Sequence, residues 1–223
     1  MIWDTIFAPF AEFAFMRRAL LGCLAIAVGS TPVGVFLMLR RMSLTGDAMA
    51  HAILPGAAVG FLISGLSLGA MTIGGLVAGM IVALGSGLVS RMTALREDAS
   101  LAAFYLISLA VGVLIVSTRG SNVDLMHVLF GTVLALDNAA LILLCSIASL
   151  SILTLAILFR PLVLECADPQ FLRSVSKLSA VTHLTFLCLV VMYLVAGFHA
   201  LGTLIAVGIM ILPAAAARFW TEG

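Results

Sequence analysis

The chain has 223 residues, of which 63% are hydrophobic and only 9% are charged, and its mean hydropathy is +1.27. Soluble domains carry about 25% charged residues, so this composition excludes an ordinary soluble protein and predicts a polytopic, all-α membrane protein embedded in a lipid bilayer. The net charge of +1 offers no concentrated basic surface, and we expect no nucleic-acid partner.

Hydropathy along the chain predicts about seven membrane-spanning helices in a single domain over residues 1–223. The predicted spans cover residues 19–39, 50–66, 68–89, 101–117, 139–159, 178–196 and 201–217. The apolar segment 128–136 is too short to span a bilayer, so we expect it to dip into the membrane or to extend the fifth helix.

The second span and the residues before it carry the most informative polar groups. Asp47 and His51 are four residues apart, so a helix places them on one face as a possible oxygen and nitrogen ligand pair. Ionisable side chains near lipid are usually functional. Two alternatives remain: Asp47 hydrogen-bonds to His51 and orients it, or Asp47 only caps the helix. Pro55 and Gly56 predict a kinked or interrupted helix whose free backbone groups line a pathway.

Pairs of glycines four residues apart predict close helix packing in the second and third spans. Gly56 and Gly60 form one pair, and Gly75 and Gly79 form the other. Small residues at this spacing let helix backbones approach closely within a membrane.

The distribution of positive charge predicts an N-terminus outside the cell membrane, since lysine and arginine accumulate in cytoplasmic loops. With this orientation, three of the 11 basic residues lie on the outer side and eight on the inner side. The outer three are Arg17, Arg18 and Arg119, and the inner eight are Arg40, Arg41, Arg91, Arg96, Arg160, Arg173, Lys177 and Arg218.

The inner loop between the fifth and sixth spans contains a predicted short helix near residues 168–176. Asp168 is expected to cap it and Pro169 to begin it. Phe171, Leu172 and Val175 are expected to form its apolar face. That face indicates either a helix lying on lipid headgroups or a docking helix for a soluble partner.

The remaining polar residues are weaker candidates. His199, at the outer end of the seventh span, and His127, near the fifth, are either ion-receiving groups at the external mouth or simply solvated. Nothing in the sequence around His183 or Glu165 selects a role for them.

Three acidic residues are expected at helix starts. Glu97 and Asp98 favour the N-terminus of the fourth helix through its dipole, and Asp137 marks a turn or the start of the fifth helix.

Several of these segments together resemble the permease subunit of the ABC transporters that import zinc, manganese or iron, the ABC-3 family. The segments that carry the resemblance are Arg-Arg-Met-Ser-Leu-Thr-Gly-Asp-Ala-Met-Ala-His-Ala-Ile-Leu-Pro-Gly at 40–56, Arg-Glu-Asp-Ala at 96–99, His-Val-Leu-Phe-Gly at 127–131, and Leu-Gly-Thr-Leu-Ile at 201–205 with Ile-Leu-Pro-Ala-Ala-Ala-Ala-Arg at 211–218.

The resemblance implies a transport subunit without its own ATPase site. The sequence contains no Gly-x-x-x-x-Gly-Lys-Ser/Thr phosphate loop. The resemblance implies a permease homodimer in the inner membrane. It also implies a separate ATP-binding subunit, on which the 168–176 segment docks as a coupling helix. An extracytoplasmic metal-binding protein is expected to contact the outer segments around 119–126 and 198–199.

The resemblance also assigns the metal pathway. Family members place an acid and a histidine at the positions matched by Asp47 and His51, where a divalent ion passes without being bound stably. This pair suits Zn²⁺ and accepts Mn²⁺ or Fe²⁺, and histidine slightly favours zinc. Members usually continue through about one more helix beyond the Leu-Pro-Ala-Ala motif, so this chain, which stops at Gly223, is expected to be C-terminally truncated or naturally short.

Two other classes of protein remain as alternatives. A proton- or ion-coupled secondary transporter or channel would also use an aspartate and a histidine, but would need no docking helix. An intramembrane hydrolase would need a second intramembrane aspartate or a Ser-His arrangement, and the sequence suggests neither.

Overall fold

The computed structural model describes residues 10, 12–65, 67–95, 97–119, 136–175 and 178–221. All secondary-structure elements within these ranges are α-helices, as predicted. The helices are α1 (Ala14–Leu39), α2 (Ser43–Ser64), α3 (Leu68–Met92), α4 (Glu97–Arg119), α5 (Asn138–Ala167), α6 (Pro169–Val175), α7 (Leu178–Leu201) and α8 (Thr203–Thr221). His127 and all but the last residue of the 128–136 segment lie outside the described residues.

Six of the described helices, namely α1 to α5 and α7, are long and apolar enough to cross a membrane, and α8 contains a shorter apolar stretch, Leu204–Trp220. Each predicted span coincides with one of these seven helices, so the prediction of about seven spans is confirmed. Helix α6 has 7 residues and is too short to cross. Helix α2 begins at Ser43, earlier than its hydropathy indicates, and therefore includes Asp47.

A tight corner joins α1 to α2. Met42 N–H donates to the Leu37 carbonyl at 2.9 Å and Arg40 N–H donates to the Phe36 carbonyl at 3.0 Å, so the chain turns within three residues. Arg41 adopts a φ of 59°, a left-handed conformation that is uncommon outside glycine. The corner fixes where α2 starts and therefore where Asp47 lies.

Helix α2 runs through Pro55 without interruption, so of the two forms expected, the interrupted one does not occur. Proline lacks an N–H, which removes the usual donor to the carbonyl of His51 four residues earlier. Helix α4 packs directly against this turn, where a Cβ added at Gly112 would lie 2.7 Å from Pro55 Cγ. Ser108 Oγ of α4 also donates to the Ala52 carbonyl at 3.1 Å. Tertiary packing thus supports the helix at its proline.

The glycine pairs do produce close helix packing. A Cβ added at Gly56 would lie 2.6 Å from Ala78 Cβ, and one at Gly60 would lie 2.8 Å from the Ala70 carbonyl carbon, both on α3. In the second pair, both Gly75 and Gly79 lie against Ile53 of α2, and Gly79 also packs closely on Val191 of α7.

Helix α7 lies at the centre of the bundle and contacts α1, α2, α3, α5 and α8. Its fully buried side chains include Phe186, Leu187, Val190 and Val191. Large apolar side chains of α1, α3 and α5 face outward instead, as expected for helices in contact with lipid.

Candidate functional site

Asp47 and His51 lie together on one face of α2, as their spacing predicts. His51 Nε2 is 3.7 Å from Asp47 Oδ1, which is too long for a direct hydrogen bond. The Asp47 side chain is 60% exposed and that of His51 is 32% exposed. The N-cap of α2 is Met42 and its first turn contains no acidic residue, so the interpretation of Asp47 as a helix cap is wrong. Both side chains are therefore available to a third group.

A cavity of about 210 Å³ lies beside this pair, between α2 and α4. It is lined by Thr45, Asp47, Ala48, Asp98, Leu101, Ala102 and Tyr105. The His51 and Tyr105 rings are 6.4 Å apart between centroids, which extends the same polar face from one helix to the other.

Asp98 and Tyr105 are members of this site that the sequence did not reveal. Asp98 does occupy the first turn of α4, as expected from the helix dipole, but it also faces the cavity that Asp47 lines. The sequence does show that four lining residues share one face of α4, because their spacing matches the helical turn: Asp98, Leu101, Ala102 and Tyr105. Nothing in the sequence showed that this face meets α2.

The donor atoms suit a divalent ion that is held only weakly. A carboxylate and a neutral imidazole accept Mn²⁺, Fe²⁺ or Zn²⁺. Among the described residues, no three His, Cys, Asp or Glu side chains are grouped closely enough to hold a metal ion together. An ion at Asp47 and His51 would therefore complete its shell with water or with ligands from elsewhere, which favours release over storage.

The predicted short helix forms as α6. Asp168 Oδ1 accepts hydrogen bonds from the N–H groups of Phe171 at 2.9 Å and Gln170 at 3.0 Å, which is the predicted cap, and Pro169 begins the helix. Phe171 is 53% exposed, whereas Leu172 is 6% exposed and packs inside this chain. Leu172 therefore does not belong to the outward face assigned to it. The side chains of Val175 and His199 lie outside the described residues.

Asp137 lies at the start of α5, as predicted, where it is the N-cap. Its carboxylate Oδ1 accepts a hydrogen bond from the Ala140 N–H at 2.7 Å, and the helix starts at the next residue.

Comparisons with known proteins all point to one group. The profile of the ABC 3 transport family matches residues 12–223. The manganese import system permease protein ScaB of Streptococcus parasanguinis is 31% identical over 211 residues, which cover 95% of this chain and 74% of that protein. The chelated iron transport system membrane protein YfeD of Yersinia pestis is 29% identical over 213 residues, which cover 96% of this chain and 70% of that protein.

A solved structure supports the same relationship. PsaBC from Streptococcus pneumoniae in complex with Fab superposes with a TM-score of 0.80 at 28% identity, covering 98% of this chain and 77% of that one. The likeness therefore extends over nearly the whole helix arrangement described above.

Proposed function

The chain belongs to the ABC 3 transport family, and from this membership we propose that it is the permease subunit of an importer that moves a divalent transition metal ion into the cytoplasm. ATP is hydrolysed on a separate subunit in this proposal. The observation that carries it is the Asp47 and His51 pair, the two ionisable residues of α2, with Asp47 lining a cavity that Asp98 of α4 also lines.

The exposure of Asp47 supports a pathway on this face. A carboxylate that is 60% exposed on a spanning helix cannot face hydrocarbon without a large desolvation cost. The face must therefore meet water or another protein surface. We propose that a second copy of the permease covers it and that the two copies enclose a hydrated route for the ion.

Manganese is our first choice of substrate, followed by iron and then zinc. The pair provides one oxygen and one nitrogen ligand and does not itself select among these ions. The relatives named for manganese and iron change the slight preference for zinc that histidine alone suggests.

We propose that α6 is the coupling helix that docks on the ATP-binding subunit. Its cap by Asp168 fixes its direction, and the exposed ring of Phe171 supplies an apolar contact on the outside of the chain. The extracytoplasmic metal-binding protein would contact the opposite side, at the segments around 119–126 and 198–199, of which 120–126 lie outside the described residues.

Uptake of labelled Mn²⁺, Fe²⁺ and Zn²⁺ into vesicles tests the proposal. The vesicles contain the permease, its ATP-binding subunit and its binding protein, with or without internal ATP, and vesicles lacking the permease are the control. We expect ATP-dependent accumulation of one metal, most of all Mn²⁺. Accumulation without ATP, driven by a proton gradient, would contradict the proposal and indicate a secondary transporter.

A further inference from the structure

Three charged or titratable side chains from three helices meet in a buried cluster beside α6. Arg40 Nη2 is 2.7 Å from Glu165 Oε2, and Arg40 Nη1 is 3.1 Å from His183 Nδ1. His183 Nδ1 is 3.9 Å from Glu165 Oε1. The three side chains are only 6–7% exposed. Because arginine only donates, Arg40 is the donor in its contact with His183 Nδ1.

Stability alone does not explain this cluster. The Arg40 guanidinium is also stacked on Phe186, with its Cζ 4.6 Å from the ring centroid, so the charges are removed from water on several sides. Replacing a buried ion pair by apolar side chains of similar size is often neutral or stabilising, because desolvation offsets the attraction. What such a cluster does provide is a fixed relative position of the elements that carry it.

The elements it joins are the two neighbours of α6 and the corner before α2. Glu165 lies in the last turn of α5, three residues before the Asp168 that caps α6. His183 lies early in α7, the helix that follows α6 in the chain. Arg40 is the C-cap residue directly after α1, at the tight corner seven residues before Asp47.

The corner between Arg40 and α2 is short and braced by backbone hydrogen bonds. The backbone hydrogen bonds of Arg40 and Met42 to the last turn of α1 leave few free torsions between Arg40 and α2. On α6 itself, Leu172 is only 6% exposed, and α6 contacts both α5 and α7.

We propose that Arg40, Glu165 and His183 are positioning residues that transmit the movement of α6 to the Asp47 and His51 face of α2. This inference rests on the proposed function, since it presumes that α6 docks on an ATP-binding subunit. The three residues act through the helices and do not touch the ion.

The amount of metal moved per ATP hydrolysed in reconstituted vesicles tests the inference. Glu165→Gln keeps the shape of the side chain but removes its charge. We expect a ratio at least tenfold below wild type, while hydrolysis and assembly with the ATP-binding subunit persist. Because Glu165→Gln leaves Arg40 buried without its counter-charge, the double variant Arg40→Gln with Glu165→Gln is measured too. It removes both charges, folds without that penalty, and should show the same low ratio.

Two further variants separate coupling from stability. Leu162→Ala creates a cavity one turn earlier on α5, at a residue that is 0% exposed, and leaves the cluster intact. It should lower the unfolding temperature but keep the wild-type ratio. Glu165→Asp keeps a carboxylate and should recover part of the ratio lost in Glu165→Gln.

A wild-type ratio in both charge-removing variants overturns the inference. An equal drop in Leu162→Ala at an equal loss of unfolding temperature overturns it as well. If the wild-type complex moves no metal with ATP, the proposed function fails and the inference fails with it. If the wild-type complex moves metal with ATP and both charge-removing variants keep the wild-type ratio, the inference fails while the proposed function stands.

Discussion

The carboxylate of Asp47 and the imidazole of His51 lie side by side on one face of α2 without a direct hydrogen bond between them. They are close enough to share an ion but 3.7 Å apart, so no direct hydrogen bond holds either in place. This geometry, with Asp98 and Tyr105 across the cavity, is better suited to a passing cation than to structural support.

Removing either proposed ligand should stop transport without disturbing the fold. For Asp47→Asn and His51→Ala we expect metal uptake to fall at least tenfold, because the ion loses one of two protein ligands. Both side chains are partly or largely exposed, so stability should change by no more than about 0.5 kcal/mol. Uptake of labelled Mn²⁺ and co-purification with the ATP-binding subunit are the two measurements.

Glu12→Gln is the matched control for this pair, since it removes an exposed carboxylate near the start of α1, far from Asp47 in sequence. It should transport like wild type. Normal uptake by Asp47→Asn would contradict the assignment of the pathway.

Local spacing explains which site residues the sequence could reveal. Asp47 and His51 are one helical turn apart, so their juxtaposition follows from helix geometry alone. Glu165 and Arg40 are separated by 125 residues and meet only because α1, α5 and α7 pack together. A single sequence does not show which charged residues far apart in the chain contact each other. The contact between Arg40 and Glu165 is visible only in the tertiary structure.

At the scale of elements, hydropathy located every span but not every helix end. Helix α5 continues through Arg160 and Pro161 to Ala167 instead of ending near Phe159, so neither the charge nor the proline ends it. Pro55 likewise predicts a kinked or interrupted α2. The helix is continuous there, and Gly112 of α4 packs against the proline. Apolar length is readable from the sequence, whereas helix ends and prolines depend on what packs against them.

The contact between α2 and α3 should fail when a methyl group is added at its closest point. In Gly56→Ala the new Cβ would lie 2.6 Å from Ala78 Cβ and 2.7 Å from the Gly74 carbonyl carbon, so the helices must separate. We expect a destabilisation of about 1–3 kcal/mol, measured by thermal unfolding in detergent.

Gly69→Ala is the control for this substitution, because a Cβ there meets nothing within 4 Å. It should be neutral or slightly stabilising, since alanine favours the helix by up to about 1 kcal/mol. Equal stability of the two variants would show that α2 and α3 do not pack as closely as described.

Docking through α6 should depend on Phe171 and not on its buried neighbour. Phe171→Glu places a charge on a side chain that is 53% exposed, so the permease should remain folded while its co-purification with the ATP-binding subunit falls at least tenfold. Gln170→Glu adds the same charge at the exposed residue beside it, about 100° around the helix, and should bind normally. Undiminished binding of Phe171→Glu would remove α6 as the docking element.

At the scale of the whole molecule, orientation decides whether these sites can work together. If α6 docks on an ATP-binding subunit as proposed, it must face the cytoplasm, and the positive charges predict that it does, with eight of 11 basic residues on that side. In that orientation the Asp47 and His51 pair, the Arg40 corner and α6 all lie towards the inner ends of their helices. If one of the helices between them did not cross the membrane, α6 and the Asp47 and His51 pair would lie towards opposite sides of the membrane.

Cysteine accessibility tests this orientation directly. Ser67, between α2 and α3, and Gln170 on α6 are both exposed and are predicted to face opposite sides of the membrane. In a background whose four native cysteines are replaced by alanine, we expect an impermeant maleimide to label Ser67→Cys in right-side-out vesicles and Gln170→Cys only in inverted ones. The cysteine-free background shows any non-specific labelling. The reverse pattern would put α6 outside the cytoplasm, where no ATP-binding subunit could reach it, and coupling through the Arg40, Glu165 and His183 cluster would then be impossible.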